Sequence, residues 1–116
     1  MNPRTAKTKG AQTEQMLCDW LRTRGVIHAE RRHLSGANDR GDVTGWPGIC
    51  VEAKSGGGKL DLPGWLAELA REVRNSQATH GFVAIRPRGK PDPTDWYAVM
   101  PLPALVALLD EAGWIR

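Results

Sequence analysis

The sequence predicts an α/β fold, in which a mixed β-sheet of about five strands is flanked by helices. Apolar residues recur at helical spacing in three segments, and shorter apolar or alternating segments lie between them, bounded by turn residues. The length of 116 residues suits one domain with one core, because two cores would each be near the size at which unaided folding is marginal. The order helix, strand, hairpin, helix, strand, strand, helix is a common layout that fixes no activity.

The amino-terminal third is expected to contain an arm, a helix and a strand. Residues 1–9 carry few apolar side chains and are predicted to form a flexible basic arm. The helix that follows is expected to end at Gly25, since glycine tolerates the left-handed conformation found after a helix C-terminus. Its apolar face consists of Met16, Leu17, Trp20 and Leu21. The segment "VIHAERRH", residues 26–33, then predicts a strand.

The second half of the chain predicts two helices with two strands between them. The segment "DLPGWLAELAREVRN" has the pattern of a helix start, with Asp61 as N-cap and Pro63 in the first turn, where its missing N–H costs little. "HGFVAIRP" and "WYAVMP" are typical of strands. "PALVALLDEAG" predicts a closing helix that stops at Gly113.

Residues 41–56, "GDVTGWPGICVEAKSG", predict a hairpin from about Asp42 to Lys54. A two-residue Pro-Gly loop would send Asp42 and Glu52 to opposite faces, whereas a three-residue Trp-Pro-Gly loop would place them directly opposite each other, with Cβ atoms about 5 Å apart. We expect the second register because it separates polar from apolar side chains better. It groups Val43, Ile49, Val51 and Ala53 on one face and Thr44, Cys50 and Lys54 with the two acids on the other.

Two carboxylates at such range repel each other, by about 4 kcal/mol at about 4 Å and an effective dielectric constant near 20. A shared proton, the Lys54 ammonium or a divalent cation could offset that repulsion. Oxygen ligands alone favour Mg²⁺ or Mn²⁺ over zinc, and a cation with a lysine beside it can support phosphodiester hydrolysis. The alternative is a surface ion pair between Glu52 and Lys54, with Asp42 as a turn residue.

The "GDV" and "ICVEAKSG" segments resemble the core motif of the PD-(D/E)xK nuclease superfamily. Asp42 matches the first acid, Glu52 the second acid and Lys54 the lysine. The chain departs from the motif at Gly41, where the name of the motif has proline, and "NDRGD" offers Asp39 as a competing acid. The resemblance implies a restriction-endonuclease-like sheet in a single nuclease domain spanning residues 1–116.

Within that superfamily the chain most resembles the archaeal-type Holliday-junction resolvases, from about Lys9 to Lys54. The likeness lies in the length, in "KGAQTEQML" and in "HLSGANDRGDV". It implies a Mg²⁺-dependent endodeoxyribonuclease, with Mn²⁺ as a possible substitute, that cuts four-way junctions as a homodimer. Glu14 would join Asp42 and Glu52 as a metal ligand, and Ser35 would lie near the scissile phosphate. The alternatives are another nuclease of repair, restriction or phage replication, or a non-catalytic DNA-binding module with the same fold.

The basic residues are concentrated in the first 40 positions, and the chain has a net charge of +3. Five of them flank the expected site in sequence and are predicted to contact DNA: Lys7, Lys9, Arg31, Arg32 and Arg40. Contacts to phosphates would add salt-sensitive, sequence-independent affinity. Three more could extend the track: Arg86, Arg88 and Lys90. The alternative is that these charges only solvate one face.

Other features of the sequence exclude several classes of protein. No apolar run approaches the roughly 20 residues that cross a bilayer, and the amino terminus lacks the apolar segment of a secretory signal, so we expect a cytoplasmic protein. "SGGGKL" fails the phosphate-loop pattern at Ala53 and Leu60, so no nucleotide cofactor is expected. Trp65 and Trp96 are candidates for a subunit interface.

Overall fold

A computed structural model describes residues 3–32 and 40–116, with side chains from residue 9 onward. The described residues form three α-helices and five strands, which confirms the mixed α/β class. The helices are α1 (Pro3–Thr23), α2 (Leu62–Ser76) and α3 (Leu102–Glu111). The strands are β1 (Glu30–Arg31), β2 (Val43–Thr44), β3 (Ile49–Ser55), β4 (His80–Arg86) and β5 (Tyr97–Val99). None of the described helices has an apolar stretch long enough to cross a membrane.

The strands are divided between two small sheets rather than gathered in one. The central sheet has the order β3-β4-β5, with β3 and β4 parallel and β4 and β5 antiparallel, so it is mixed as expected. Ile49 is in register with His80 at one end of the parallel pair, and Ser55 with Arg86 at the other. Helix α2 makes the crossover that parallel strands require. Strands β1 and β2 form a separate antiparallel pair.

The predicted hairpin over 42–54 is wrong about which strands pair. Strand β2 forms its ladder with β1, with Arg31 opposite Val43, and β3 forms its ladder with β4. The turn at the centre of the segment is present, since the Ile49 N–H donates to the Trp46 carbonyl at 3.1 Å. Pairing with β4 uses one edge of β3. On the other edge the Asp42 N–H donates to the Val51 carbonyl, but Val43 and Thr44 then pair with β1, so no regular ladder forms between β2 and β3.

Helix α1 begins earlier than the sequence predicts. The backbone of residues 3–9 is helical, where a flexible arm was expected. The helix ends at Thr23, and Gly25 follows it with a φ of 104°, which confirms the predicted stop. The strand expected over 26–33 is reduced to Glu30–Arg31 in the part of it that the structure describes.

Alternate residues of β3 pack on opposite faces of the central sheet. Val51 belongs to the cluster on the α1 side, and Cys50 to the cluster on the α2 side. The buried residues on the α1 side are Leu17, Cys18, Leu21, Ala29, Val43, Val51 and Ala84. Those on the α2 side are Cys50, Leu69, Val83 and Ile85. The predicted division of β3 into two faces is therefore confirmed, but the face that carries Glu52 is covered by α2, which the sequence did not predict.

Candidate active site

Asp42 lies at the entry to β2 and is held against β3 by two hydrogen bonds. Its N–H donates to the Val51 carbonyl at 2.8 Å, and its Oδ2 accepts the Ala53 N–H at 2.7 Å. This approach needs Gly41, whose φ is 97° and where a Cβ would lie 2.9 Å from both the Val51 oxygen and Cys50 Sγ. Proline, which the motif name places there, has φ fixed near about −65° and could not adopt this conformation.

The Asp42 carboxyl meets the Glu52 carboxyl, as the sequence predicts, although a different strand pairing brings them together. Glu52 is in the middle of β3 and only 4% exposed. Burial and the nearby charge of Glu52 raise the pKa of Asp42 to about 8. Burial and a contact with the Glu72 carboxyl raise the pKa of Glu52 to about 9. The site therefore favours protons or a compensating cation over bare negative charge.

Helix α2 contributes two carboxyls that the sequence analysis missed. Glu68 and Glu72 are four residues apart, so they project from the same face of the helix. One oxygen each of Glu52, Glu68 and Glu72 can be chosen so that all lie within 4.8 Å of one another. Glu72 is 0% exposed. The sequence did indicate that Glu72 is buried, because it comes three residues after the core residue Leu69 and so lies on the apolar side of the helix.

Lys54 lies among these carboxyls. Its Nζ is 3.2 Å from Glu68 Oε2 and 3.6 Å from Glu52 Oε1. It is also 5.8 Å from the centre of the Trp65 ring, within range of a cation–π contact. Burial opposes the charged form, but the Glu52 and Glu68 charges outweigh it and raise the pKa of Lys54. The ammonium is therefore present at neutral pH and is shared between strand and helix.

Glu14, a further predicted site residue, is paired with a basic side chain. Glu14 accepts a 2.8 Å hydrogen bond from Arg31 Nε, and its charge still contributes to the raised pKa of Asp42 as the smallest of several causes. The structure thus places Glu14 near Asp42 but gives it a basic partner. Ser35 lies outside the described residues.

The basic residues predicted to bind DNA fall into different settings. Lys9 Nζ lies against Gly57, 2.8 Å from the position that a Cβ would take there. Arg31 is paired with Glu14. Arg32 and Arg40 line a pocket of about 200 Å³. The backbone of Lys7 is in α1, and its side chain lies outside the described part of the chain.

The donor set fits a hard divalent cation. Glu52, Glu68 and Glu72 lie together, Asp42 contacts Glu52, and the ligand atoms of these four carboxyls are oxygens, the type that Mg²⁺ and Mn²⁺ prefer. If all four carboxyls were ionised, Lys54 would balance only one of the negative charges. A divalent ion would offset two more, which removes the need for protons on Asp42 and Glu52.

Comparisons of the chain with models of protein families, with curated proteins and with solved structures found no match.

Proposed function

We propose that the protein is a metal-dependent nuclease of the PD-(D/E)xK class. The observation that carries the proposal is the contact between the Asp42 and Glu52 carboxyls, with Lys54 Nζ 3.6 Å from Glu52 Oε1. These are the three side chains of the motif, and they arrive from separate segments at one place. A surface ion pair with an unrelated turn aspartate does not account for a Glu52 that is 4% exposed.

Each residue has a role that follows from its contacts. Asp42 and Glu52 would hold the cation, and Glu72 would supply a further carboxyl next to Glu52. The Ala53 N–H fixes the direction of the Asp42 carboxyl. Lys54 places a positive charge where negative charge develops on the phosphate oxygens, and it can orient the attacking water. Bound Mg²⁺ or Mn²⁺ supplies Lewis-acid activation of the phosphate.

Within this class, we propose a structure-selective endonuclease that resolves four-way DNA junctions. The resemblance of residues 9–54 to archaeal-type resolvases supports this assignment. A junction has two-fold symmetry and needs two cuts, whereas one copy of the chain supplies one site. A homodimer with two-fold symmetry therefore suits the substrate.

Helix α3 offers the surface for such a dimer. None of its residues is buried, and its large apolar side chains are between 37% and 72% exposed. They are Leu102, Leu105, Val106, Leu108 and Leu109. Apolar surface of this extent is uncommon on a monomer, and a face without charge along most of its length complements a second copy of itself. Trp65 and Trp96, the candidates from the sequence, are partly buried against the two core clusters and stay predictions for the interface.

A cleavage assay tests the proposed function. Full-length protein with Mg²⁺ or Mn²⁺ is incubated with a labelled four-way junction, a flap and a linear duplex of the same sequence. We expect symmetric cuts in the junction, weaker cutting of the others and none with EDTA. Asp42→Asn is the matched inactive variant, which should keep junction binding. Cutting of flap or duplex in preference to the junction would indicate another nuclease, and binding with no cutting of any substrate would indicate a DNA-binding module.

A further inference from the structure

A second site of opposite charge lies beside the acidic cluster. Arg32 and Arg40 line a pocket of about 200 Å³ together with the turn that joins β2 to β3 and the end of α2. The other lining residues are Val43, Thr44, Gly45, Trp46, Pro47, Gly48, Ile49, Ser76 and Ala78. No acidic side chain lines this pocket among the described residues.

The two arginines of the pocket differ from the basic residues around them. Arg22, Arg31 and Lys54 each have a carboxylate partner. Within residues 9–32 and 40–116, neither Arg32 nor Arg40 has one. Arg32 Nε is also buried and meets no acceptor among those residues. A buried guanidinium donor is costly unless an acceptor binds it, so the buried Nε of Arg32, with the exposed Arg40 lining the same pocket, favours an anionic ligand.

We infer that this pocket binds a phosphate group of the DNA backbone next to the one that is cut. Guanidinium groups bind phosphate through paired N–H donors, and two of them in one pocket suit a phosphodiester better than a single carboxylate. The turn residues Trp46 and Pro47 provide an apolar wall beside the charge. The inference rests on the proposed function, because it assigns the pocket to the same DNA strand.

The pocket is tied to the acidic cluster through the backbone. The Arg32 N–H donates to the Asp42 carbonyl at 2.8 Å, and the neighbouring Arg31 is in register with Val43. The β1–β2 pair therefore fixes the spacing between the Arg32 side chain and the Asp42 carboxyl. A phosphate held in the pocket would set the position of the strand before the next phosphate reaches Asp42 and Glu52, which is a positioning role.

The test measures binding without cutting. Full-length protein in EDTA is titrated with fluorescent four-way junctions, each of which carries one neutral methylphosphonate at a different position near the cut. We expect one position at which the neutral linkage weakens wild-type binding roughly tenfold, the size of one lost charge-assisted contact. With the neutral linkage at that position, Arg32→Gln and Arg40→Gln should each weaken binding by less than about twofold relative to the wild type, since the phosphate that they contact has already lost its charge.

Arg71→Gln is the matched control, since Arg71 is exposed on α2 and outside the pocket. The neutral linkage at the same position should weaken the binding of this variant by the full tenfold. The inference would be overturned if, at every position of the neutral linkage, its effect on the binding free energy simply added to that of Arg32→Gln or Arg40→Gln. Thermal unfolding of each variant checks the fold, and Arg40→Gln, whose side chain is exposed, keeps the test valid if Arg32→Gln unfolds.

A second measurement separates a DNA phosphate from a free one. Inorganic phosphate is titrated into the protein while the arginine Nε–H resonances are followed by NMR. An Arg32 resonance that moves with phosphate but not with junction DNA would overturn the inference, as would a protein that binds no DNA. A protein that shows the predicted coupling yet cuts nothing would support the pocket and refute the nuclease proposal, so the two failures are distinguishable.

Discussion

The Ala53 N–H donates a 2.7 Å hydrogen bond to Asp42 Oδ2, so a backbone group of β3 orients the first acid of the site. The same carboxyl also contacts the Glu52 carboxyl, so the two acids lie on the same side of β3. Asp42 thus reaches Glu52 without a regular ladder between β2 and β3. The acid pair depends on this contact and on the backbone bond from Asp42 to Val51.

Replacing Glu52 with glutamine should stabilise the metal-free protein and abolish cutting. The amide keeps the shape of the side chain and removes a carboxyl that must take up a proton on folding at neutral pH, since its pKa is raised to about 9 beside Asp42 and Glu72. A gain of about 1 kcal/mol in the free energy of unfolding would raise Tm by roughly 4 °C in a domain of this size. Differential scanning fluorimetry with and without Mg²⁺ checks this, since the variant should also lose the Tm increase that Mg²⁺ gives the wild type. Glu30→Gln, an exposed carboxyl on β1, should change neither value.

The stability of the metal-free protein should fall as the pH rises from about 5 to about 9. The folded-state pKa of Asp42 is about 8 and that of Glu52 about 9, against ordinary values of 3.8 and 4.5. Between these limits the folded protein keeps protons that the unfolded chain has released, so folding is penalised more at each higher pH. Chemical denaturation across this range, in EDTA, measures the free energy of unfolding.

Added Mg²⁺ should reverse this trend, because a cation binds the deprotonated carboxyls and stabilises the folded state in proportion to its occupancy. The stabilisation by Mg²⁺ should therefore be larger near pH 9 than near pH 5. A metal-free stability that rises with pH, or a Mg²⁺ effect that is the same at both ends, would contradict the acidic cluster as described.

The sequence carries the alternation of β3 but not the identity of its partner. Period-two patterning is a property of one strand, so the division between Cys50 and Val51 could be predicted correctly. A strand has two hydrogen-bonding edges, so the pairing of β3 with β4 does not itself exclude β2. The sequence did not show that β2 pairs with β1, which comes before it in the chain, and the nearness of β2 to β3 favoured the wrong answer.

The same limit applies to the carboxyls of α2. Periodicity identifies the face of α2 that packs on the sheet, but it does not show that this face crosses the strand at Glu52. Glu68 and Glu72 could therefore be predicted as residues on or near the packed side, and their meeting with Glu52 and Lys54 could not. Glu14 is a different case, since the resemblance implies a metal ligand at this position and the structure shows a basic partner for it, Arg31.

Removing Lys54 should reduce cutting far more than DNA binding. Lys54→Ala takes away the one ammonium within 4 Å of Glu52 among the described residues, so single-turnover cutting should fall by roughly 10²-fold, while junction affinity changes little. Glu68→Gln should cost less, about tenfold, because Lys54 would still be attracted to Glu52.

The dependence of cutting on Mg²⁺ concentration separates two roles for Glu68. If Glu68 only positions Lys54, extra Mg²⁺ should not restore the rate of Glu68→Gln. Full recovery at high Mg²⁺ would instead identify Glu68 as a metal ligand. Glu30→Gln again serves as the control for loss of one negative charge, and Lys54→Ala with wild-type activity would remove the lysine from the proposed mechanism.

Gly41→Ala should destabilise the protein by about 2 kcal/mol, since the left-handed conformation costs an L-residue about 1–2 kcal/mol and the new methyl group would press on the Val51 oxygen. Gly10→Ala is the matched control. Gly10 lies inside α1 with no atom within 4 Å of the position of a Cβ, so alanine there should stabilise the helix by about 0.5–1 kcal/mol. Urea denaturation measures the free energy of unfolding of both variants. If Gly41→Ala were as stable as Gly10→Ala, the backbone at Gly41 would not constrain Asp42 as described.

If the proposed function holds, the apolar face of α3 should decide whether the protein makes one cut or two. Leu105 and Leu109 are four residues apart, so the double variant Leu105→Lys, Leu109→Lys puts charge in the middle of that face. We expect it to fold and to sediment as a monomer, where the wild type sediments as a dimer. On a supercoiled plasmid with an extruded cruciform, the wild type should give linear product by paired cuts and the variant should give nicked circles. Leu60→Lys, at an exposed apolar residue outside α3, should leave both readouts unchanged. A wild type that is monomeric and still linearises the plasmid would rule out α3 as a dimer surface and would mean that one copy makes both cuts in turn.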